Sequence, residues 1–314
     1  MQTVVGIDEN GLGPRLGPLI VTAVTAQAAD EKAAKVLLGR PGRAFGTRIG
    51  DSKALVSYKD GALGQAWACV LGEAAGVSAS SPGDLVAGLA LDDQPTLRSL
   101  CPSTHEAQCW SCEGEGFDAP AEVMAGVRKD LGRLEKRGVR IESVRVGIVC
   151  TRRINQAADR GSSRFQVDLN TMERLLLDAR ARVPEDVVAV CGKVGGYNQY
   201  VDAFGPLAGR LHAVIAEGRA KSEYAMPGLG RVAFVRDADE QHLIVCLASL
   251  VGKYVRDLLT TRVVRHHGRG LVHLPLVSGY HDPITAQFVD ETADSRRAAD
   301  FPMDCFERRA LSPT

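Results

Sequence analysis

Two runs rich in β-branched residues, 3–8 and 17–27, lie on either side of a short stretch of glycine and proline. Runs of this composition bounded by Gly and Pro are typical of β-strands. We therefore expect two paired strands joined by a glycine-rich turn. Asp8 and Glu9 stand where the first run ends, so two adjacent carboxylates lead into that turn.

The rest of the chain alternates between helical and strand-like patterns. Helices are predicted over 61–92, 122–137, 170–182 and 240–267, the last ended by Gly268, and strands over 144–150, 186–192 and 231–239. Residues 93–120 are rich in Pro, Ser, Cys and Gly, which predicts a loop-rich insertion. Strands that alternate with helices predict an α/β fold with a mixed sheet covered by helices.

Charge and hydrophobicity narrow the classes of partner. Lys plus Arg and Asp plus Glu are equal at 38 each, so any attraction to nucleic acid must be local. Basic clusters over 128–145 and 262–269 are interpreted as solvated helix faces, because the first is interleaved with Glu. No apolar run reaches the ~18 residues of a membrane span and no secretory start is seen, so we expect no membrane partner and a cytoplasmic location.

The glycine-rich turn does not match the known nucleotide-binding loops. Leu16 stands where a G-x-G-x-x-G loop requires glycine, and no G-K-[ST] follows. Asp8 and Glu9 would repel a bare phosphate unless divalent cations lay between them. Carboxylate oxygens suit Mg²⁺ or Mn²⁺, which can then bind a phosphodiester. The alternative is an exposed acidic turn without a ligand.

Four segments of the chain resemble the ribonuclease HII family, in its archaeal and eukaryotic form, and occur in that family's order. They are "GIDENGLGPRLGPLIVTAV" (6–24), "DSKAL" (51–55), "DADEQHLIVCLASLVGKYVRD" (237–257) and "SGYHDP" (278–283). The resemblance implies an RNase H-like domain over 1–260, interrupted by the 93–120 insertion, and a C-terminal helical extension over 261–314. It also implies metal-dependent hydrolysis of the RNA strand in RNA–DNA hybrids or ribonucleotide-containing DNA.

The family's functional positions can be carried onto this chain one by one. Asp8, Glu9 and Asp239 take catalytic carboxylate positions and would hold Mg²⁺ or Mn²⁺. Asp239 is alternatively an N-cap of the helix that follows it. The resemblance also implies a set of substrate-binding residues: Gly11, Leu12, Gly13, Lys53, Ser249, Lys253, Arg256 and Tyr280. Ser249, Lys253 and Arg256 share one helix face by their spacing, where they would contact phosphate or, alternatively, direct their polar ends to solvent.

Two positions depart from the family pattern. A further carboxylate is expected at the end of the strand over 186–192, where this chain has Cys191 and Gly192, followed by Lys193. Lys193 would either place a positive charge near the metals or hold a phosphate in their absence. Leu12 replaces the arginine of the glycine turn, and Arg15 is the nearest substitute. The chain is therefore expected to be a nuclease or, alternatively, a hybrid-binding protein with impaired cleavage.

The insertion contains a second candidate metal site. Three cysteines and one histidine within "CPSTHEAQCWSC" could form a closed tetrahedral zinc site: Cys101, His105, Cys109 and Cys112. A structural zinc would stabilise a segment that has little apolar core of its own. Alternatively the cysteines are unliganded thiols. In a third possibility the protein is a scaffold, and the insertion is its docking surface for a protein partner.

Overall fold

A seven-stranded sheet organises the fold in a computed structural model that describes residues 1–42, 45, 48–50, 55, 61–195 and 197–309. The strands are β1 (Gln2–Asn10), β2 (Leu19–Ala28), β3 (Val139–Val149), β4 (Val187–Gly192), β5 (Ala213–Ala216), β6 (Lys221–Met226) and β7 (Gly230–Val235). Their order in the sheet is β3-β2-β1-β4-β7-β6-β5. The first two strands form the predicted pair around the glycine turn.

The sheet is mixed in its strand directions. Strands β1, β2 and β3 pair antiparallel, and β5, β6 and β7 do the same at the other side. The central strands β1, β4 and β7 run parallel, so their carboxyl ends meet at one edge of the sheet. The predicted α/β fold, a mixed sheet flanked by helices, is confirmed.

Helices cover both faces of this sheet and continue beyond it. They are α1 (Glu31–Leu38), α2 (Ala62–Ala74), α3 (Pro82–Leu89), α4 (Gln94–Arg98), α5 (Ala107–Trp110), α6 (Ala121–Glu135), α7 (Thr151–Asp159), α8 (Arg164–Ala181), α9 (Ala238–Gln241), α10 (Leu243–His267), α11 (Pro283–Glu291), α12 (Ala293–Ala298) and α13 (Met303–Phe306). Short three-ten turns occupy Val201–Ala203 and Gly268–Gly270. None of the helices described is both long and apolar enough to cross a bilayer.

The alternation of side chains along β1 divides the interior into two cores. Val4 belongs to the core beneath α10, whereas Val5 and Ile7 belong to the core beneath α8. Helix α10 lies directly against β1, because a Cβ added to Gly6 would stand 2.5 Å from the carbonyl carbon of Ile244. The two longest helices, α8 and α10, therefore enclose β1 from opposite faces.

A third core joins the C-terminal helices to the glycine turn. It contains Leu16 from the turn, Val263 from α10, and Phe288 and Phe306 from α11 and α13.

The boundary predicted between residues 260 and 261 falls inside α10, which continues without a break. The predicted strand over 231–239 is shorter in the structure, because β7 ends at Val235 and Asp237 takes a left-handed backbone conformation (φ 53°).

Candidate active site

Asp8 and Glu9 lie near the C-terminal end of β1, just before the glycine turn. This is the edge of the sheet at which the parallel strands end. Alternation along the strand puts Asp8 on the face that α10 covers and Glu9 on the face that α8 covers. The carboxylate of Glu9 accepts a hydrogen bond from the backbone amide of Leu12 at 3.2 Å. Glu9 therefore also fixes the start of the glycine turn.

Asp168 on α8 is a third carboxylate at this place, and the sequence reasoning missed it. Its side chain is fully buried, and neither carboxylate oxygen has a hydrogen-bond partner among the described residues. Burial, followed by the negative charges of Glu9 and Asp8, raises the pKa of Asp168 well above its usual range. Burying a carboxyl group without partners is costly, and such groups occur most often at functional sites.

The sequence contains a signal for Asp168 that was not used. Three apolar residues near Asp168 belong to the core beneath α8. They are Phe165, three positions before Asp168, Leu169, one position after it, and Met172, four positions after it. An aspartate with apolar neighbours at these positions lies on the buried face of its helix. An acidic residue on that face needs an explanation, and the carboxylates at the end of β1 provide one.

Gly192 and Cys191 are the two positions at which the family pattern places a further carboxylate, and neither residue has one. Ile7 pairs with Cys191, so Gly192 stands beside Asp8. A Cβ added to Gly192 would be 2.8 Å from Asp8 Oδ1. Cys191 faces the other side of the sheet, where burial, then Asp168 and Asp8, raise the pKa of its thiol. Gly192 therefore lies on the same face of the sheet as Asp8, whereas Cys191 is a core residue on the opposite face.

Asp239 follows the end of β7 at the same edge of the sheet. The last pair between β4 and β7 is Gly192 with Val235, and Asp239 lies on α9, which begins three residues after Val235. Asp239 is not an N-cap, because Asp237 precedes α9 and His242 precedes α10 in those positions.

Metal coordination geometry is not preformed at this edge. Across the described ranges of the chain, no group of three or more His, Cys, Asp or Glu side chains is arranged to hold a metal ion. The role of Asp239 as a metal ligand therefore stays a prediction.

The glycine turn is held from below by Arg308, a second residue that the sequence did not reveal. Its buried guanidinium donates to the carbonyl oxygen of Gly11 at 2.7 Å and to that of Gly17 at 2.7 Å and 2.9 Å. Burial lowers the pKa of Arg308 to about 9. Gly11 has a positive φ of 94°, and its added Cβ would stand 3.0 Å from Arg256 Nε. The turn therefore requires glycine at position 11 both for its backbone conformation and for the close approach of Arg256.

Neither Leu12 nor Arg15 provides an unpaired positive charge at the glycine turn. Leu12 packs against the core beneath α8. Arg15 forms an ion pair with Glu307. The predicted substitution of the family arginine by Arg15 is therefore not supported, because Glu307 neutralises that guanidinium.

The polar stripe on α10 faces the interior of the protein. Ser249 and Arg256 are buried, and Arg256 donates to Asp257 Oδ1 at 2.8 Å and to the carbonyl of Ser278 at 2.6 Å. Lys253 pairs with the other oxygen of Asp257 at 2.7 Å. The Arg256 guanidinium also lies over the ring of Tyr280, 4.6 Å from its centre, and Tyr280 is 43% exposed. Arg256 thus positions an exposed ring beside the glycine turn.

Two further predicted substrate contacts have different outcomes. The ammonium of Lys193 hydrogen-bonds Ser222 Oγ at 3.2 Å and the carbonyl of Gly218. It is therefore directed towards β6, and burial lowers its pKa. Lys53 lies outside the residues that the structure describes.

The four side chains predicted to bind zinc are not brought together. The ring of His105 packs against Phe301 with 4.6 Å between ring centres. Cys112 is exposed, and its sulfur accepts a hydrogen bond from Arg262 at 3.3 Å. Cys101 and Cys109 accept hydrogen bonds from Trp110 and Gln108, and no three of the four predicted ligands are arranged to hold a metal ion.

Comparisons with known proteins gave likenesses in structure only. No family profile and no curated protein matches the chain. Bst-RNase HIII in complex with Mn²⁺ is similar over 99% of this chain and 67% of that one, at 12% identity and a TM-score of 0.49. RNase HII of Archaeoglobus fulgidus, in complex with PCNA, is similar over 99% and 96%, at 16% identity and a TM-score of 0.44. Ribonuclease H2 of Pyrococcus horikoshii is similar over 97% and 92%, at 16% identity and a TM-score of 0.43.

Proposed function

We propose that this protein is a divergent relative of ribonuclease HII that hydrolyses the phosphodiester bond at a ribonucleotide, in an RNA–DNA hybrid or within DNA, with the help of divalent metal ions. The observation that carries the proposal is Asp168. It is a buried carboxylate without hydrogen-bond partners among the described residues, directed at Asp8 and Glu9. In this proposal Asp168 provides the carboxyl group that Gly192 cannot, and metal binding displaces its proton.

The residues present suit a hard divalent cation. Oxygen ligands are what Mg²⁺ and Mn²⁺ prefer, and Asp168 has two oxygens that no described residue satisfies. Gly192 brings its backbone close to Asp8, since an added Cβ would stand 2.8 Å from Asp8 Oδ1. Asp8, Glu9 and Asp168 would hold the metal, and Asp239 would complete the site from the end of β7.

The bound metal would activate a water molecule and stabilise the charge that develops on the leaving oxygen. The chain's own residues position the substrate. Arg308 binds the carbonyl oxygens of Gly11 and Gly17 from the protein side. The outer side of the glycine turn, which has no bulky side chains at its glycines, can then lie close to the nucleic acid. The exposed ring of Tyr280 offers an apolar face to a sugar at the cleavage point. The sugar 2′-hydroxyl is the group that distinguishes RNA from DNA at such a contact.

The alternative function is binding without efficient cleavage. It is favoured by the neutral turn at Leu12 and by the loss of the carboxylate at Gly192, since both changes remove charge that acts on a phosphodiester. The same cleft would then retain ribonucleotide-containing duplexes without turning them over.

Cleavage assays on matched variants separate the two functions. A duplex with one embedded ribonucleotide, a full RNA–DNA hybrid and an all-DNA duplex are incubated with Mg²⁺ or Mn²⁺. We expect cleavage of the first two substrates, reduced at least about 100-fold in Asp8→Asn and in Asp168→Asn, because metal ligands are removed. Asp178→Asn is the control, because Asp178 lies on the same helix but pairs with Arg182 at the surface.

Each result decides a separate point. Retention of the ribonucleotide duplex without product by the wild-type protein would support the binding function. Full activity in Asp168→Asn, with loss of activity in Asp8→Asn, would show that Asp168 is not a ligand.

A further inference from the structure

Four cysteines from distant parts of the sequence lie close together in the structure. Cys101 and Cys109 come from the insertion, Cys150 precedes α7, and Cys305 lies on α13. The thiol of Cys109 is within electrostatic range of the other three. Cys305 in turn interacts with Cys150 and Cys101. The two cysteines that differ from the sequence-predicted set, Cys150 and Cys305, are 155 positions apart and could not be paired from spacing.

Every one of the four sulfur atoms faces a nitrogen donor. Trp110 Nε1 donates to Cys101 Sγ at 3.3 Å, and the Gln108 side-chain amide donates to Cys109 Sγ at 3.4 Å. Arg152 Nη1 lies 3.9 Å from Cys305 Sγ. The thiol of Cys150 faces the first backbone amides of α7, those of Arg152 and Arg153. Donors directed at sulfur favour the thiolate form, which is the form that binds metals.

The surroundings of the cluster are dry and rich in cations. Cys109, Cys150 and Cys305 line a small cavity of about 20 Å³, whose other walls include Ile148, Leu259 and Val263. Burial raises the pKa of the Cys109 thiol to about 12. The guanidinium of Arg262 is also buried and interacts electrostatically with Cys109. A tetrathiolate site with one Zn²⁺ carries a net charge of −2, which Arg152 and Arg262 offset in part, since Arg262 also pairs with Glu115.

We propose that Cys101, Cys109, Cys150 and Cys305 bind one zinc ion as a structural tetrathiolate site. Binding replaces four S–H bonds with four Zn–S bonds and releases four protons to solvent. In the conformations present, no three of these side chains are at coordination geometry, so binding requires the cysteine side chains to turn inwards to other rotamers. The ion would join the insertion, the end of β3 and the tail that carries Arg308. This inference does not depend on the proposed nuclease function.

Elemental analysis of the full chain, produced in zinc-supplemented medium, tests the proposal. We expect about one zinc per chain in the wild-type protein and in Cys112→Ser and His105→Ala, but less than a tenth of that in Cys150→Ser and Cys305→Ser. The pairs are matched, because Cys112 and His105 belong to the set predicted from sequence and Cys150 and Cys305 do not. Loss of zinc in Cys112→Ser with retention in Cys150→Ser and Cys305→Ser would overturn the proposal.

A cobalt titration keeps the test decisive if a variant fails to fold. Co²⁺ added to the metal-free wild-type chain should give sulfur-to-metal charge-transfer absorption with the intensity of four thiolates and the visible bands of tetrahedral coordination. Zinc should displace the cobalt at one equivalent. A spectrum without thiolate ligands, or no zinc in the wild-type protein, would refute the site.

Discussion

Restoring a carboxylate at position 192 is the most direct test of the candidate active site. The perturbation is Gly192→Asp, with Gly192→Asn as a control of the same shape and no charge. The new Cβ would stand 2.8 Å from Asp8 Oδ1, which is the mobile end of a side chain, so small rotations make room for it. The two variants therefore differ in charge and not in steric fit.

The size of the charge effect follows from the distance. The added carboxylate lies roughly 4 Å from that of Asp8, where two like charges repel by about 4 kcal/mol at an effective dielectric constant of about 20. Protonating the new group at pH 7.5 would cost about 5 kcal/mol, from a usual pKa of about 3.9. The aspartate therefore stays mostly ionised, and the repulsion lowers the stability of the metal-free protein.

Thermal unfolding measures this effect. Without metal, we expect Gly192→Asp to unfold about 4–8 °C below Gly192→Asn, at about 2 °C per kcal/mol for a chain of this size. Saturating Mn²⁺ should narrow this difference, because a ligand at about 100 times its Kd stabilises by about 2.7 kcal/mol, which offsets part of the repulsion of about 4 kcal/mol. Cleavage of the ribonucleotide duplex should rise at least about tenfold in the aspartate variant alone.

Equal melting temperatures of the two variants, with and without Mn²⁺, would refute the placement of position 192 beside the metal site. Cys191→Asp provides a further contrast. It would bury a carboxylate in the core beneath α8, so we expect destabilisation by several kcal/mol and no gain in cleavage.

Other perturbations test the remaining parts of the site. Asp168→Asn should raise the free energy of unfolding of the metal-free protein by about 1 kcal/mol or more, because a buried unpartnered carboxylate is removed, and should abolish stabilisation by Mn²⁺. Gly11→Ala should cost about 1–3 kcal/mol in unfolding experiments, whereas Gly13→Ala, whose added Cβ meets nothing within 4 Å, should be neutral. Arg308→Met should cost about 3–5 kcal/mol and weaken duplex binding, since the carbonyls of the turn lose their donor; unchanged binding would contradict its role. Burial lowers the pKa of His267 to about 3, so below pH 6.5 the unfolded state takes up a proton that the folded state does not, and stability falls as pH falls. His267→Gln should remove about 2–3 kcal/mol of that loss between pH 7 and pH 4, measured by denaturant unfolding.

Local patterns in the sequence predicted the elements that depend on local physics. The β1–β2 pair follows from two β-branched runs around a glycine turn, and α10 follows from a long apolar pattern that ends at Gly268. The hairpin of β5 and β6 was not predicted, because the strands are short and β5 is largely exposed. These strands exist because β7 offers an edge with which β6 can pair.

The residues of the candidate site also fall into those that local sequence patterns predict and those that they do not. Asp8, Glu9 and the glycine turn are adjacent in sequence and lie together in the structure, and their catalytic role stays a prediction. The spacing of Ser249, Lys253 and Arg256 indicated one shared helix face, but spacing does not tell whether that face meets solvent or protein. Asp168 and Arg308 reach the turn from 159 and 297 positions away, counted from Glu9 and Gly11, and only the packing of α8 and α13 brings them there.

The contact between Arg308 and the glycine turn links the first two strands to a residue that lies 297 positions after Gly11. Domains fold from the N-terminal side while the chain is being made, so β1 and β2 are available long before the guanidinium that fixes their turn. In a nascent chain, the turn beside the acidic end of β1 would therefore lack the hydrogen bonds from Arg308 until that residue leaves the ribosome. Cleavage of the chain just before Arg308 would likewise return the folded protein to that early state.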